Sequence, residues 1–111
     1  MKKHLKQLDL KRIRITDSLF GEYVNKVSEK IIPHQWKILN DQLEDSEPTY
    51  CIHNFRIAAG EEKGERKGVV FQDTDLYKWL EAVAYTIAQH HKLKKKMERN
   101  LFAGSFHCVK I

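Results

Sequence analysis

Val69-Val70-Phe71-Gln72-Asp73-Thr74-Asp75-Leu76-Tyr77-Lys78-Trp79-Leu80-Glu81-Ala82-Val83-Ala84-Tyr85 decides how the chain is read. A loop runs straight into a helix that the pattern predicts from about Asp73 to Gln89. Leu76, Trp79, Leu80, Val83, Ala84 and Ile87 recur at helical spacing, and Tyr77 and Ala88 widen the apolar face. Lys78, Glu81, Thr86 and Gln89 share the narrower polar stripe. Asp73 or Thr74 is expected as N-cap, with Asp75 in the first turn where the helix dipole favours negative charge. A face this wide needs large apolar partners elsewhere in the chain.

Working outward, the segment before this stretch, Glu61 to Gly68, has loop composition, with charges of both signs and glycines. Tyr50 to Ala59 is a short helix candidate closed by Gly60. Gln42 to Pro48 reads as an acidic surface loop. Phe20, Tyr23, Val24, Val27 and Ile31 mark a helix capped by Asp17 or Ser18. Pro33 is expected to kink or break it, with a second piece carrying Trp36 and Leu39. Residues 1–15 read as an extended N-terminal segment, since Leu8, Leu10, Ile13 and Ile15 alternate with polar residues, with a bulge at Lys11-Arg12. Beyond the organising helix, Leu93, Met97 and Leu101 suggest a further helix over Lys92 to Arg99. Residues 100–111 show no clear period.

The totals bound the class. A chain of 111 residues with a 41% apolar share is at most one domain. No apolar run approaches a membrane span, and the charged N-terminus leads into no apolar signal region. Cys51 and Cys108 have no metal spacing and fit a reduced, cytoplasmic setting. The net charge of +5 is unevenly placed: residues 1–15 carry +5, residues 92–99 carry +4, Lys110 adds +1, and the rest sums to −5. Basic ends on an acidic body leave open a small helical protein that binds nucleic acid through those ends.

Residue chemistry leaves the function undetermined. Asp73 and Asp75 are paired carboxylates, the groups that run glycosidic chemistry. Within one helix, however, positions i and i+2 point about 200° apart. Capping is one reading of them, and contact with a sugar hydroxyl is the other. His4, His34, His53, His90, His91 and His107 form no zinc-binding pair at helical spacing. Cys51 lies among apolar residues and reads as a buried thiol, with a nucleophile as the alternative. Trp36, Tyr77, Trp79 and Tyr85 are core aromatics or a sugar-stacking platform.

Three segments carry a resemblance. Ile31-Ile32-Pro33-His34-Gln35-Trp36-Lys37-Ile38-Leu39-Asn40-Asp41 resembles the "IPYQWxxLND" segment of glycoside hydrolase family 127, the β-L-arabinofuranosidases. Asn54-Phe55-Arg56-Ile57-Ala58-Ala59-Gly60 resembles that family's "NFRIAAG", and the stretch from Gly68 to Ala82 its "GxVFQDSDVYKWLEA". The resemblance implies an all-α fold, the first three or four helices of an (α/α)6 six-hairpin barrel, left incomplete. It implies a partial catalytic domain over residues 16–99 with a divergent end over 100–111. Twelve such helices and their loops need roughly 250–300 residues.

The same resemblance implies a retaining enzyme on arabinofuranoside glycans, with a zinc-bound cysteine nucleophile and glutamates around the metal. Those motifs belong far downstream, so no catalytic residue, metal ligand or cofactor is expected in this chain, and Cys51 and Cys108 match none of the family's cysteines. Gln72, Asp73 and Asp75, at the expected barrel mouth, are the candidate substrate-binding residues for hydroxyl contacts in an intact enzyme. The chain alone is expected to be inactive, to bind no nucleic acid or membrane if the resemblance holds, and to self-associate through exposed apolar faces. Loss of the family pattern from Asn100 to Ile111 also suggests a frameshift or stop near codons 97–102.

Overall fold

The computed structural model describes residues 5–89, and its buried core gathers around the organising helix. The expected helix over Lys92–Arg99, His90, His91, Cys108 and the end of the chain lie outside the described residues. α1 (Ser18–Lys26) is followed by a π turn (Val27–Ile31) and α2 (Ile32–Leu39); α3 (Cys51–Ala58) and α4 (Asp73–Gln89) come after. Among the described residues there is no strand, and the all-α expectation holds.

Asp17 caps α1, its carboxylate accepting from the Phe20 N–H at 2.9 Å. Of the kink or break expected at Pro33, the break does not occur. Ile31 and Ile32 keep right-handed helical backbone, and the Ile32 N–H reaches back to the Val27 carbonyl. Proline lacks an N–H and its ring crowds the carbonyl four residues earlier, so a widened turn just upstream lets the helix pass through. The N-terminal bulge is corrected too. Lys11-Arg12 lies in a single 3-10 turn (Leu10–Arg12) capped by Asp9, and this turn packs against α4.

α2 and α3 both close with the same six-residue device. Behind α2, the Gln42 N–H bonds the Lys37 carbonyl and the Asp41 N–H bonds that of Ile38, with Asp41 at φ +54°. Behind α3, Glu61 and Gly60 do likewise to Arg56 and Ile57, with Gly60 at φ +77°. Glycine adopts that backbone freely; aspartate does not. At Asp41 the carboxylate offsets the strain, accepting from the Thr49 N–H, the Thr49 hydroxyl and the Tyr50 N–H at 2.6, 3.0 and 2.9 Å. These bonds staple the acidic loop shut and set the start of α3.

The core is Ile32, Leu39, Cys51, Ile52, Leu76, Trp79 and Val83, with Trp36, Phe55, Leu80 and Ile87 packed around it. Trp36 and Trp79 stack at 4.6 Å between ring centroids. The Trp79 indole N–H donates to the Ile32 carbonyl at 3.0 Å, a buried bond across 47 residues of sequence. The buried stripe of α4 is narrower than its sequence suggests. Thr86, read as polar, is buried and bonds the Ala82 carbonyl, whereas Tyr77 and Ala84 are exposed.

Candidate functional site

α4 begins at Asp73 itself, so neither Asp73 nor Thr74 caps it as expected. The Asp73 carboxylate accepts from its neighbour, the Thr74 N–H at 3.0 Å, and the Thr74 hydroxyl donates back to the Phe71 carbonyl at 2.7 Å. The turn before the helix takes up the first donors through Thr74 N–H to Phe71 and Asp75 N–H to Gln72. Asp73 and Asp75 are exposed at the helix mouth, where the unpaired amides favour negative charge.

Gln72 is the centre of the arrangement. Its carbonyl accepts the Cys51 thiol at 3.2 Å, fastening the pre-helix loop to the start of α3. Its side chain lies against Gly68, which has φ +79° and no room for a Cβ beside the Gln72 amide. The Gln72 Oε1 atom is buried and meets no hydrogen-bond partner among the described residues. An amide oxygen left in that condition costs about 1–3 kcal/mol, so its place in the fold calls for a donor.

Gln72 and Asp73 line a cavity of about 320 Å³ with Asn54, Arg66, Val70 and Cys51. α3 supplies the opposite wall and holds the loop that shapes it. Asn54 clasps the Lys67 backbone in both directions, its amide donating to the carbonyl at 2.8 Å and accepting from the N–H at 3.0 Å. His53 Nδ1 and Arg56 meet the two Glu62 carboxylate oxygens at 2.7 and 3.2 Å. These two bonds hold the Glu62 carboxyl below its usual range. Asp75 is not part of this cavity. It lines a separate groove of about 390 Å³ with Gln35, Thr49 and Trp79, and it pairs loosely with Lys78 at 3.6 Å. The structure thus joins two of the candidate residues and sets the third apart.

Asn54 and Arg66 were not among the candidates. The "NFRIAAG" likeness contains Asn54, but nothing in local spacing marks Arg66, which reaches the cavity through the loop that Asn54 pins. Cys51 is buried, and desolvation pushes its thiol up to about 11, so it is a poor nucleophile. The aromatics do not form a platform: Trp36 and Trp79 are in the core, Tyr77 lies edge-on to Phe55, and Tyr85 donates to Glu81 at 3.0 Å. Among the described residues, no group of three His, Cys, Asp or Glu side chains could hold a metal ion, so they do not fit the zinc that the resemblance implies. Among them, too, no helix is long and apolar enough to cross a membrane.

Comparison with known proteins bears on the family and the fold. Residues 12–103 match the family model described as "Beta-L-arabinofuranosidase, GH127 catalytic domain". The non-reducing end β-L-arabinofuranosidase of Bifidobacterium longum subsp. longum is 34% identical over 90 residues, covering 70% of this chain and 14% of that protein. The crystal structure of Ara127N-Se, a GH127 β-L-arabinofuranosidase from Geobacillus stearothermophilus T6, is similar with a TM-score of 0.68 and 45% identity, covering 78% of this chain and 14% of that one. The chain therefore spans 14% of the length of each of these two relatives. None of these likenesses supports the nucleic-acid alternative.

Proposed function

The chain belongs to the glycoside hydrolase family 127 β-L-arabinofuranosidases, matching their catalytic domain, and from that premise we propose that it is the substrate-side entry segment of such a domain, acting on arabinofuranosides only when the domain is whole. The observation that carries this reading is the match over residues 12–103 together with the fold likeness at 45% identity. The helices it shares with the solved relative are the first of an incomplete α/α barrel.

Gln72 and Asp73 are the residues we assign to sugar hydroxyls, with Asp75 as a neighbouring contact across the helix mouth. The support is chemical. The Gln72 side chain lines the cavity and its amide can pair with a hydroxyl once turned away from Gly68, and the exposed Asp73 carboxylate can accept from a second one. No step of glycosidic bond cleavage is assigned to this chain: Asp73 and Asp75 line separate clefts, and among the described residues no group of three His, Cys, Asp or Glu side chains could hold a metal ion. The purified chain is accordingly expected to hydrolyse no aryl β-L-arabinofuranoside, with zinc and reductant supplied. Turnover that copurifies with the chain, above a mock preparation, would overturn the reading.

A further inference from the structure

Residues 60–68 cross α3 as a surface strap. Apart from Glu62 every one of them is exposed, so the strap adds little to the core. Gly60 and Gly68 bound it at φ +77° and +79°, backbone that glycine adopts freely, and both are ends of the kind at which hinges form. The strap stays close to α3: a Cβ built on Gly64 would lie 3.6 Å from the Ile57 Cδ1. Two latches fix it there. Near one end the Glu62 carboxylate meets His53 and Arg56. Near the other, Asn54 bonds both the N–H and the carbonyl of Lys67.

The strap gives the cavity of Gln72 and Asp73 one of its walls. Arg66 lines that cavity, its guanidinium donating to the Val69 carbonyl on the approach to α4. Cys51 lines the same cavity and yet is only 2% exposed, so a reagent reaches its thiol when a wall moves. The α3 and α4 walls belong to helices anchored in the core through Cys51, Ile52 and Leu76. The strap is the wall that moves at low cost. Its latches lie at the surface, where a hydrogen bond exchanges for one to water and a partly exposed ion pair adds little. Segments with few buried contacts open locally while the rest of the fold stays intact.

We infer that residues 60–68 form a hinged flap on this cavity, turning on Gly60 and Gly68, with Asn54 and Glu62 as the latches that hold it closed and keep Arg66 at the cavity wall. The flap sets access to the cavity and is independent of which ligand the cavity takes. Cys51 serves as the reporter of opening. In the full chain carrying Cys108→Ser, its labelling by iodoacetamide is timed at urea concentrations well below the unfolding midpoint. Labelling of the latched chain should be slow and almost independent of urea, because opening a flap exposes little surface. Asn54→Ala and, separately, Glu62→Ala should each speed it about tenfold without adding urea dependence, as loss of one latch requires. Glu22→Ala, which removes an exposed ion pair on α1, should leave the rate unchanged. Rates equal to wild type in both latch variants would overturn the flap. So would a urea dependence matching global unfolding in every variant, since the thiol would then be reached by unfolding alone. Wild-type labelling as fast as in the urea-unfolded chain would overturn it as well. Each of these three results leaves the family reading standing.

Discussion

At the scale of single residues, Trp79 joins two of the segments that carry the family likeness. Its indole stacks on Trp36 and donates to the Ile32 carbonyl, so one side chain provides both area and direction. Trp79→Phe keeps an aromatic ring but removes the donor and part of the volume. The expected loss is about 1–3 kcal/mol, read as a lower urea midpoint of the helical circular dichroism signal; an unchanged midpoint would contradict the role given to this bond. Gly68 is the second critical position. A methyl there meets the Gln72 amide on a backbone that disfavours side chains, so Gly68→Ala should lose about 1–3 kcal/mol and displace Gln72. A midpoint equal to wild type would show that the loop yields freely. Cys51 provides a pH test. Its thiol is raised from 9.0 to about 11 mainly by burial, so the folded state favours the neutral form. That contribution is complete below about pH 9 and is lost as pH rises toward 11. In a Cys108→Ser background, iodoacetamide should modify Cys51 at pH 8 far more slowly in the folded chain than in urea. Equal rates would mean that the thiol is accessible.

At the scale of elements, periodicity located the helices well and their joints poorly. Leu76, Trp79 and Val83 announced α4, and Asp17 announced the start of α1, because both signals are local. Pro33 does not end the helix, since a π turn absorbs what a strict α-helix cannot. Thr86 misled for a similar reason: its hydroxyl bonds within the helix, which allows a polar residue into the buried stripe. The cavity was half legible. Gln72 and Asp73 sit beside each other in sequence, but Arg66 and Asn54 reach them only through a loop clasp between distant positions. The Glu62 contacts with His53 and Arg56, on the same helix as Asn54, are expected to make that clasp depend on pH. Glu62 is held below its usual carboxyl range first by His53 and then by Arg56, so its contribution is present above the unfolded carboxylate pKa and fades as pH falls through the lowered value. Exchange of the Lys67 amide proton, bound to Asn54, should therefore gain an acid-driven component on top of its intrinsic pH dependence. Glu62→Gln should abolish that component, and an identical pH profile in the variant would remove Glu62 from the clasp.

At the scale of the whole molecule, a small core carries much exposed apolar surface. Leu19, Phe20, Tyr23, Val70, Phe71 and Tyr77 are each more than half exposed. Surface of that kind drives association, so the isolated chain should be helical yet self-associate, with a broad thermal transition. A sharp, reversible, two-state melt from a monodisperse monomer would count against it. The amount of missing contact surface was legible early, because α4 showed a wide apolar face with few large partners. Its location was not, since it depends on which sides of α1 and α4 meet. The central claim is that this chain is a segment of a family 127 catalytic domain that works only in the whole. The most direct measurement is the β-L-arabinofuranosidase activity of the Geobacillus relative after its matching segment has been replaced by residues 12–89 of this chain. The account predicts hydrolysis by that chimera, and a large loss of kcat/KM when Gln72→Ala is added. A folded chimera with no activity, or one indifferent to Gln72, would contradict it.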